Sequence, residues 1–131
     1  MVAAKTKNNK GKSVLIVEDD TFLIKAYEIR FEKESVGVAV ATNAEEALNY
    51  LAKKPTNAIL LDLMLPGMSG FELLEEIKKN EQWKNVPVII VSNLSQDKDI
   101  ELGKKLGAVD YIVKADVKVG EVVSEVIRRM K

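Results

Sequence analysis

Neither cysteine nor histidine occurs among the 131 residues. Without cysteine there are no disulfides, thiolate nucleophiles or thiolate metal sites, an absence that is neutral about compartment. Without histidine there is no Ser-His triad, no zinc site of the usual imidazole type and no internal histidine to donate a phosphoryl group. Any chemistry must run on carboxylates, hydroxyls, lysine or a hard metal. Net charge is missing too, since 20 Lys and Arg balance 20 Asp and Glu. No bulk basic field therefore draws the chain to nucleic acid or to an anionic membrane. No apolar run is long enough to span a bilayer. The Lys- and Asn-rich start lacks the apolar stretch of a secretory signal. These absences lead to the expectation of a cytoplasmic protein.

With 47% hydrophobic and 31% charged residues, the composition is that of one globular domain large enough to bury a core. Residues 1–12 read as a flexible basic tail, and 13–131 as the domain. Ser13 to Val17 is the first strand, followed by Glu18-Asp19-Asp20. From Thr21, Leu23, Ile24, Tyr27 and Phe31 recur at helical spacing. Gly37 to Ala41 is the second strand, and Thr42-Asn43 with Glu45-Glu46 caps a helix striped by Ala44, Ala47, Leu48 and Leu51.

The chain is organised around Ala58 to Gly70. An apolar run, Ala58 to Leu61, suits a strand buried on both faces and extends back to Asn57. Asp62 stands where that strand ends, Pro66-Gly67 is a turn signal, and Ser69-x-x-Glu72 is a capping-box pattern opening a helix to about Lys79, with Phe71, Leu74 and Ile77 inward. Val86 to Val91 is the fourth strand, with Pro87 near its start where a missing N–H is tolerated. A mostly polar helix, Ser95 to Leu106, is stopped by Gly107. Val109 to Val113 is the fifth strand, and residues 117–130 form a last helix striped by Val119, Val122, Val123, Val126, Ile127 and Met130. Five strand–helix repeats joined by right-handed crossovers give an open parallel α/β sheet with helices on both faces.

Polar residues gather just past the strands: Glu18 and Asp19 after the first, Asp62 after the third, Ser92 and Asn93 after the fourth, Lys114 after the fifth. Ligands of open α/β sheets bind at these carboxyl ends. Crowded carboxylates must share protons, pair with a cation or bind a metal. An oxygen-only donor set favours Mg²⁺ or Ca²⁺ over zinc, and a small set that leaves room for water and phosphate oxygens suits Mg²⁺. With an ammonium and a hydroxyl opposite, such a cluster can hold the oxygens of a transferring phosphoryl group, with Asp62 as nucleophile. Taken one at a time, an Asp after a strand is a cap, Ser92 a loop hydroxyl and Lys114 a solvated cation. Their joint placement at four strand ends carries the argument.

The runs Val14 to Asp20, Leu61 to Gly70, Val91-Ser92 and Asp110 to Lys114 resemble the receiver domain of two-component response regulators, of the stand-alone chemotaxis-regulator type. The resemblance covers about Ser13 to Met130. It implies a flavodoxin-like doubly wound (βα)5 fold, strand order 2-1-3-4-5, and a signalling switch rather than an enzyme with turnover. Asp62 is then the phosphoacceptor, served by a histidine kinase or histidine phosphotransfer protein. Asp19, Asp62, the backbone carbonyl of Met64 and, through water, Glu18 are the Mg²⁺ ligands. Lys114 pairs with the acceptor and then with the phosphoryl group. Ser92 turns to a phosphoryl oxygen and Tyr111 follows it inward. This reshapes the face of fourth helix, fifth strand and fifth helix, which a downstream protein target reads. No output domain is expected after the fifth helix. Asp110, Lys104 and Lys105 with Arg128 or Arg129 are candidates for homodimer pairing across that face, against the plainer reading of a solvated charged surface.

Four positions depart from the family pattern. Ala115 follows the lysine where proline is usual, so the Lys114–Ala115 bond is expected trans. Asn93 is larger than the usual residue after the switch hydroxyl and narrows the donor's path. Met64 and Leu94, each two past a site residue, are apolar and orient no water, which implies slow self-dephosphorylation. These departures leave as an alternative an interaction module that keeps the fold without being phosphorylated. A dehalogenase-like phosphohydrolase lacks its second aspartate, since Met64 stands there. A dinucleotide enzyme lacks the Gly-rich turn after the first strand.

Overall fold

The computed structural model describes residues 9–131. Its elements are β1 (Ser13–Val17), α1 (Thr21–Lys33), β2 (Gly37–Ala41), α2 (Ala44–Lys53), β3 (Ala58–Leu61), α3 (Gly70–Lys79), β4 (Val88–Ser92), α4 (Asp97–Lys105), β5 (Asp110–Val113) and α5 (Val119–Arg129). The five strands pair in parallel in the order β2-β1-β3-β4-β5, the expected doubly wound α/β arrangement. The register Val17↔Leu61 aligns the ends of β1 and β3, while β4, paired Leu61↔Ile90, runs on to Ser92. Whatever follows β1 and β3 therefore emerges side by side.

Strand period decides which helices each face receives. Leu15, Val17, Ile59, Leu61, Val88 and Ile90 point to one side, against Ala44, Ala47 and Leu51 of α2 and Leu73, Leu74 and Ile77 of α3. Val14, Ile16, Ala58, Leu60, Ile89 and Val91 point to the other, against Tyr27 and Phe31 of α1 and Val122, Val123 and Val126 of α5. Each fully buried side chain of this size stabilises the fold by roughly 1.5–3 kcal/mol. The inward face of α3 differs from the expected one: Leu73 is fully buried while Phe71 is only partly so. Capping follows the local signals. Asn43 accepts from Glu46 N–H at 2.9 Å, and Ser69 and Glu72 form a reciprocal capping box.

Several boundaries moved for physical reasons. β4 starts at Val88, because Val86 N–H is taken by the Trp83 carbonyl in a turn and Pro87 has no N–H. β4 also runs one residue further, so Ser92 is the last strand residue and fully buried. α4 ends in a Schellman arrangement, with Gly107 at φ 114° and hydrogen bonds from Gly107 to Lys104 and from Ala108 to Gly103. Lys114–Asp116 makes a 3₁₀ turn before α5, and no cis peptide bond occurs among the described residues.

Of the expected tail, residues 1–8 lie outside the described residues. Residues 9–12 are not loose. Lys12 N–H closes a turn onto the Asn9 carbonyl at 3.0 Å, with Gly11 at φ 88°. The Asn9 carboxamide donates to the Glu34 carbonyl at 3.0 Å, satisfying a backbone acceptor at the end of α1. Among the described residues no helix is long and apolar enough to cross a membrane.

Candidate functional site

The site lies at the carboxyl ends of β1, β3, β4 and β5. Because β1 and β3 are neighbours, Glu18, Asp19 and Asp62 present carboxylate oxygens that all lie within 4.8 Å of one another. Glu18 is 1% and Asp62 4% exposed, whereas Asp19 faces solvent. At that spacing two buried carboxylates repel by about 3 kcal/mol with an effective dielectric constant near 20, so a compensating charge is required. Lys114 supplies one. Its Nζ lies 2.9 Å from Glu18 Oε1 and 3.1 Å from Asp62 Oδ2.

Each carboxylate is also oriented by backbone. Glu18 Oε2 accepts from the N–H groups of Asp19 and Asp20, both at 3.1 Å. Asp62 Oδ1 accepts from Met64 N–H at 3.2 Å. Asp20, the third acid of the run, is spent on the helix: its Oδ1 caps α1 by accepting from Phe22 and Leu23 N–H. A cap and a site acid look alike in sequence, and the geometry separates them.

One ammonium serving two buried acids leaves a deficit. Burial pushes the Glu18 carboxyl up, the nearby Lys114 ammonium offsets part of this, and the charge of Asp62 adds to it. Burial alone would pull the Lys114 ammonium down, but the bond to Glu18 and the charge of Asp62 outweigh it and hold the ammonium above its ordinary value. Both directions follow from a shortage of positive charge: the cation is held firmly and the less well served acid resists ionisation. Glu18 Oε1 is also buried with no aligned hydrogen bond, its contact to Lys114 being ionic. An oxygen-only donor set with one orphaned buried oxygen fits a hard divalent cation.

Ser92 is fully buried, and its Oγ accepts from Leu94 N–H at 3.1 Å. A hydroxyl accepts twice and donates once, and Ser92 also hydrogen-bonds the Tyr111 phenol, which works against the upward shift of that phenol. Tyr111 is half-buried, and its hydroxyl donates to the Leu94 carbonyl at 2.5 Å. Burial and the charge of Asp99 push its phenol up. Leu94 thus joins Ser92 and Tyr111 through its own backbone. Asn93 is exposed and, with Lys114, Ala115, Leu23, Tyr27 and Val117, lines a cavity of about 300 Å³ beside the acids. Met64 is 60% exposed on the rim.

Sequence reasoning missed two glycines that shape the site. A Cβ at Gly70, the first residue of α3, would stand 2.6 Å from the Asp62 carbonyl oxygen and 2.5 Å from Leu63 Cα. Gly103 lies inside α4 against Ile90 and Tyr111. An isolated glycine within a helical pattern was the available signal. Of the residues considered for pairing, Lys104 and Lys105 are exposed, whereas the others are engaged within their own chain: Arg129 Nε lies 3.0 Å from Asp110 Oδ2 and 3.2 Å from Glu125 Oε2, and Arg128 bonds Glu125 at 2.6 Å.

Residues 14–126 match the family model described as the response regulator receiver domain. The chain is 35% identical over 102 residues to the transcriptional regulatory protein AfsQ1 of Streptomyces coelicolor, a match that covers 78% of this chain and 44% of that protein. It spans less than half the length of the curated relatives it matches. Among solved structures, the receiver domain of the Francisella response regulator 1452 superposes with a TM-score of 0.82 at 30% identity, covering 90% of this chain and 95% of that one. A CheY-like receiver domain protein from Methanospirillum hungatei superposes with a TM-score of 0.81 at 29% identity, covering 89% and 91%.

Proposed function

The chain belongs to the response regulator receiver family, and from that premise we propose that it is a phosphorylation-dependent switch with Asp62 as its phosphoacceptor. The observation that carries this reading is the buried Asp62 carboxylate, ion-paired to Lys114 and clustered with Glu18 and Asp19. A carboxylate oxygen of Asp62 attacks phosphorus and the bond from phosphorus to the donor's imidazole nitrogen breaks; the donor ring, protonated on its other nitrogen, keeps the bonding pair and leaves as neutral histidine, giving an acyl phosphate. With no histidine of its own, the chain takes the group from a histidine kinase or histidine phosphotransfer protein. Asp19, Asp62, the Met64 backbone carbonyl and Glu18 are the residues that would hold Mg²⁺. When bound, that ion neutralises charge developing on the phosphoryl oxygens. Lys114 turns from the carboxylate to a phosphoryl oxygen, and the Ser92 hydroxyl donates a hydrogen bond to another.

Tyr111 then transmits the change to the face formed by α4, β5 and α5, which a downstream protein target reads. The protein works in the cytoplasm through protein contacts, with no direct nucleic acid or membrane binding, and turns over no substrate beyond its own phosphoryl group. A homodimer through the α4-β5-α5 face would have to share or exchange the intrachain pair between Asp110 and Arg129.

The test is intact-mass analysis after incubation with Mg²⁺ and a small acyl-phosphate donor, beside Asp62→Asn and a beryllofluoride-bound sample. One phosphoryl group on the wild type and none on Asp62→Asn is the expected result. No adduct with tight beryllofluoride binding would mean that Asn93 bars the small donor and a kinase is needed. Neither adduct nor binding would replace this reading with the unphosphorylated interaction module.

Once formed, the acyl phosphate is expected to be long-lived. The side chains two past the acceptor and two past the switch hydroxyl, Met64 and Leu94, offer no group to orient an attacking water. Met64→Asn with Leu94→Asn should speed phosphoryl loss by about tenfold, below the range for general acid–base assistance because an amide orients water without taking its proton. A lifetime unchanged by both substitutions would contradict this.

A further inference from the structure

α4 is held to the body of the protein in an unusual way. Gly103 is its buried residue, although glycine is disfavoured within a helix by its backbone entropy. What stands beneath accounts for it. A Cβ at Gly103 would come within 2.7 Å of Ile90 Cδ1, 2.9 Å of Tyr111 Cδ2 and 3.2 Å of Tyr111 Cε2. The two neighbours are not equally able to move. Ile90 is fully buried within β4, between two other strands, whereas Tyr111 is half-buried on the edge strand β5. A methyl group at position 103 would therefore turn the end of the Ile90 side chain aside and also displace the tyrosine ring, whose two carbons at 2.9 and 3.2 Å move only with the whole ring. That ring position is what lets the Tyr111 hydroxyl hold the Leu94 carbonyl at 2.5 Å, while Leu94 N–H is held by Ser92 Oγ at 3.1 Å.

We infer that Gly103 is a positioning residue of the switch: its missing Cβ is the space the Tyr111 ring occupies when it grips Leu94 and, through Leu94, sets the Ser92 hydroxyl. The inference rests on the phosphorylation reading for its consequence, but not for the contact itself. A larger residue at position 103 swings Tyr111 outward, frees Leu94 and leaves Ser92 less well placed for a phosphoryl oxygen. Gly103 touches no reacting atom, so its effect passes through the side chains beneath it, Ile90 and Tyr111, and the Tyr111 variant separates the two.

The test uses the full chain as wild type, Gly103→Ala, Tyr111→Leu and the double variant. Two quantities are read: NMR contacts between the Tyr111 ring and residues 94 and 103, and the affinity for beryllofluoride with Mg²⁺. Gly103→Ala is expected to lose the ring contacts and weaken beryllofluoride binding by about three- to tenfold, the range of coupling between touching residues. In the Tyr111→Leu background the same change should weaken binding no further. A merely structural role would be additive, and a gain in helix propensity alone would not move the ring. Ring contacts retained in Gly103→Ala, or equal weakening in both backgrounds, would overturn the inference. If Gly103→Ala did not fold, Gly103→Ala with Ile90→Val, which removes the Cδ1 atom, takes its place in both backgrounds, and the same outcomes decide the inference. Wild type that took no beryllofluoride would defeat the proposed function, while the ring contacts in the free protein would still decide this inference.

Discussion

Lys114→Met is expected to lower stability near pH 7 by about 2–4 kcal/mol, the cost of stripping the cation from a largely buried pair, reduced because the ammonium is itself partly exposed. The substitution keeps the length and apolar stem of the side chain and removes only the charge that faces Glu18 and Asp62. What remains is two carboxylates, 1% and 4% exposed, with their repulsion uncompensated. The variant's escape is to take up a proton. Glu18 already titrates above its ordinary value because of burial, and loss of Lys114 removes the largest influence pulling it down. An acid whose folded-state pKa is raised favours the folded state at low pH and penalises it as pH rises through the folded value. The deficit relative to wild type should therefore be largest near pH 7 and shrink toward about pH 5. Comparing the two proteins at each pH cancels the other carboxylates, including Glu125, which its bond to Arg128 and its other partners hold down to about 2 and which titrates in the opposite sense. Urea unfolding of both proteins without divalent cation reads this directly. A deficit under about 0.5 kcal/mol, the level of an exposed ion pair, would mean that Lys114 is not the charge holding the acids together. The variant should also form little acyl phosphate, since the lysine is needed again by the phosphoryl group.

Gly70→Ala is the second large expectation, and its sign is opposite to what local propensity says. At the first residue of a helix, alanine would ordinarily be favoured over glycine by up to about 1 kcal/mol. Here the added Cβ would meet backbone, 2.5 Å from Leu63 Cα and 2.6 Å from the Asp62 carbonyl oxygen. Neither can yield alone. Gly70 N–H bonds the Leu63 carbonyl at 3.0 Å, and Asp62 N–H bonds the Val17 carbonyl at 3.0 Å, so relief must shift the end of β3 or the whole start of α3. The expected loss is about 2–3 kcal/mol, as for overpacking in a rigid surround. It comes with a weaker Lys114–Asp62 contact and reduced phosphoryl uptake, because the displaced backbone carries the acceptor. Gly67→Ala is the control: it sits at φ 76° but nothing lies within 4 Å of its Cβ, so it strains the backbone without pushing on Asp62. Equal losses of phosphoryl uptake in the two variants, or a Gly70→Ala as stable as wild type, would show that the β3–α3 connection is not as tightly set as described.

The two glycines also mark where sequence reading ran short. Ser69-x-x-Glu72 announced the start of α3 and the capping box formed as written. Nothing in that pattern said that Gly70 lies against the acceptor's own carbonyl. Leu73 was overlooked as an inward residue because Phe71, Leu74 and Ile77 already make a helical stripe. Leu73 joins the buried cluster on that face of the sheet, and Phe71 packs against it only partly buried. In Glu18-Asp19-Asp20, sequence identified an acidic cluster without separating its members. One acid turned inward to Lys114, one faced solvent within reach of Glu18 and Asp62, and one capped α1.

By itself the sequence determined what depends on near neighbours: the apolar runs of the strands, the caps and stops of the helices, and the exclusion of imidazole and thiol chemistry. It also determined that an acid, a hydroxyl or a lysine follows each strand that builds the site. The tertiary structure alone decided which of these meet. Lys114 and Asp62 are 52 residues apart in the chain and 3.1 Å apart in space. Local pattern says that a face is buried but not what buries it. That partner is chosen by strand pairing and by how closely two backbones approach, which no stretch of a few residues encodes.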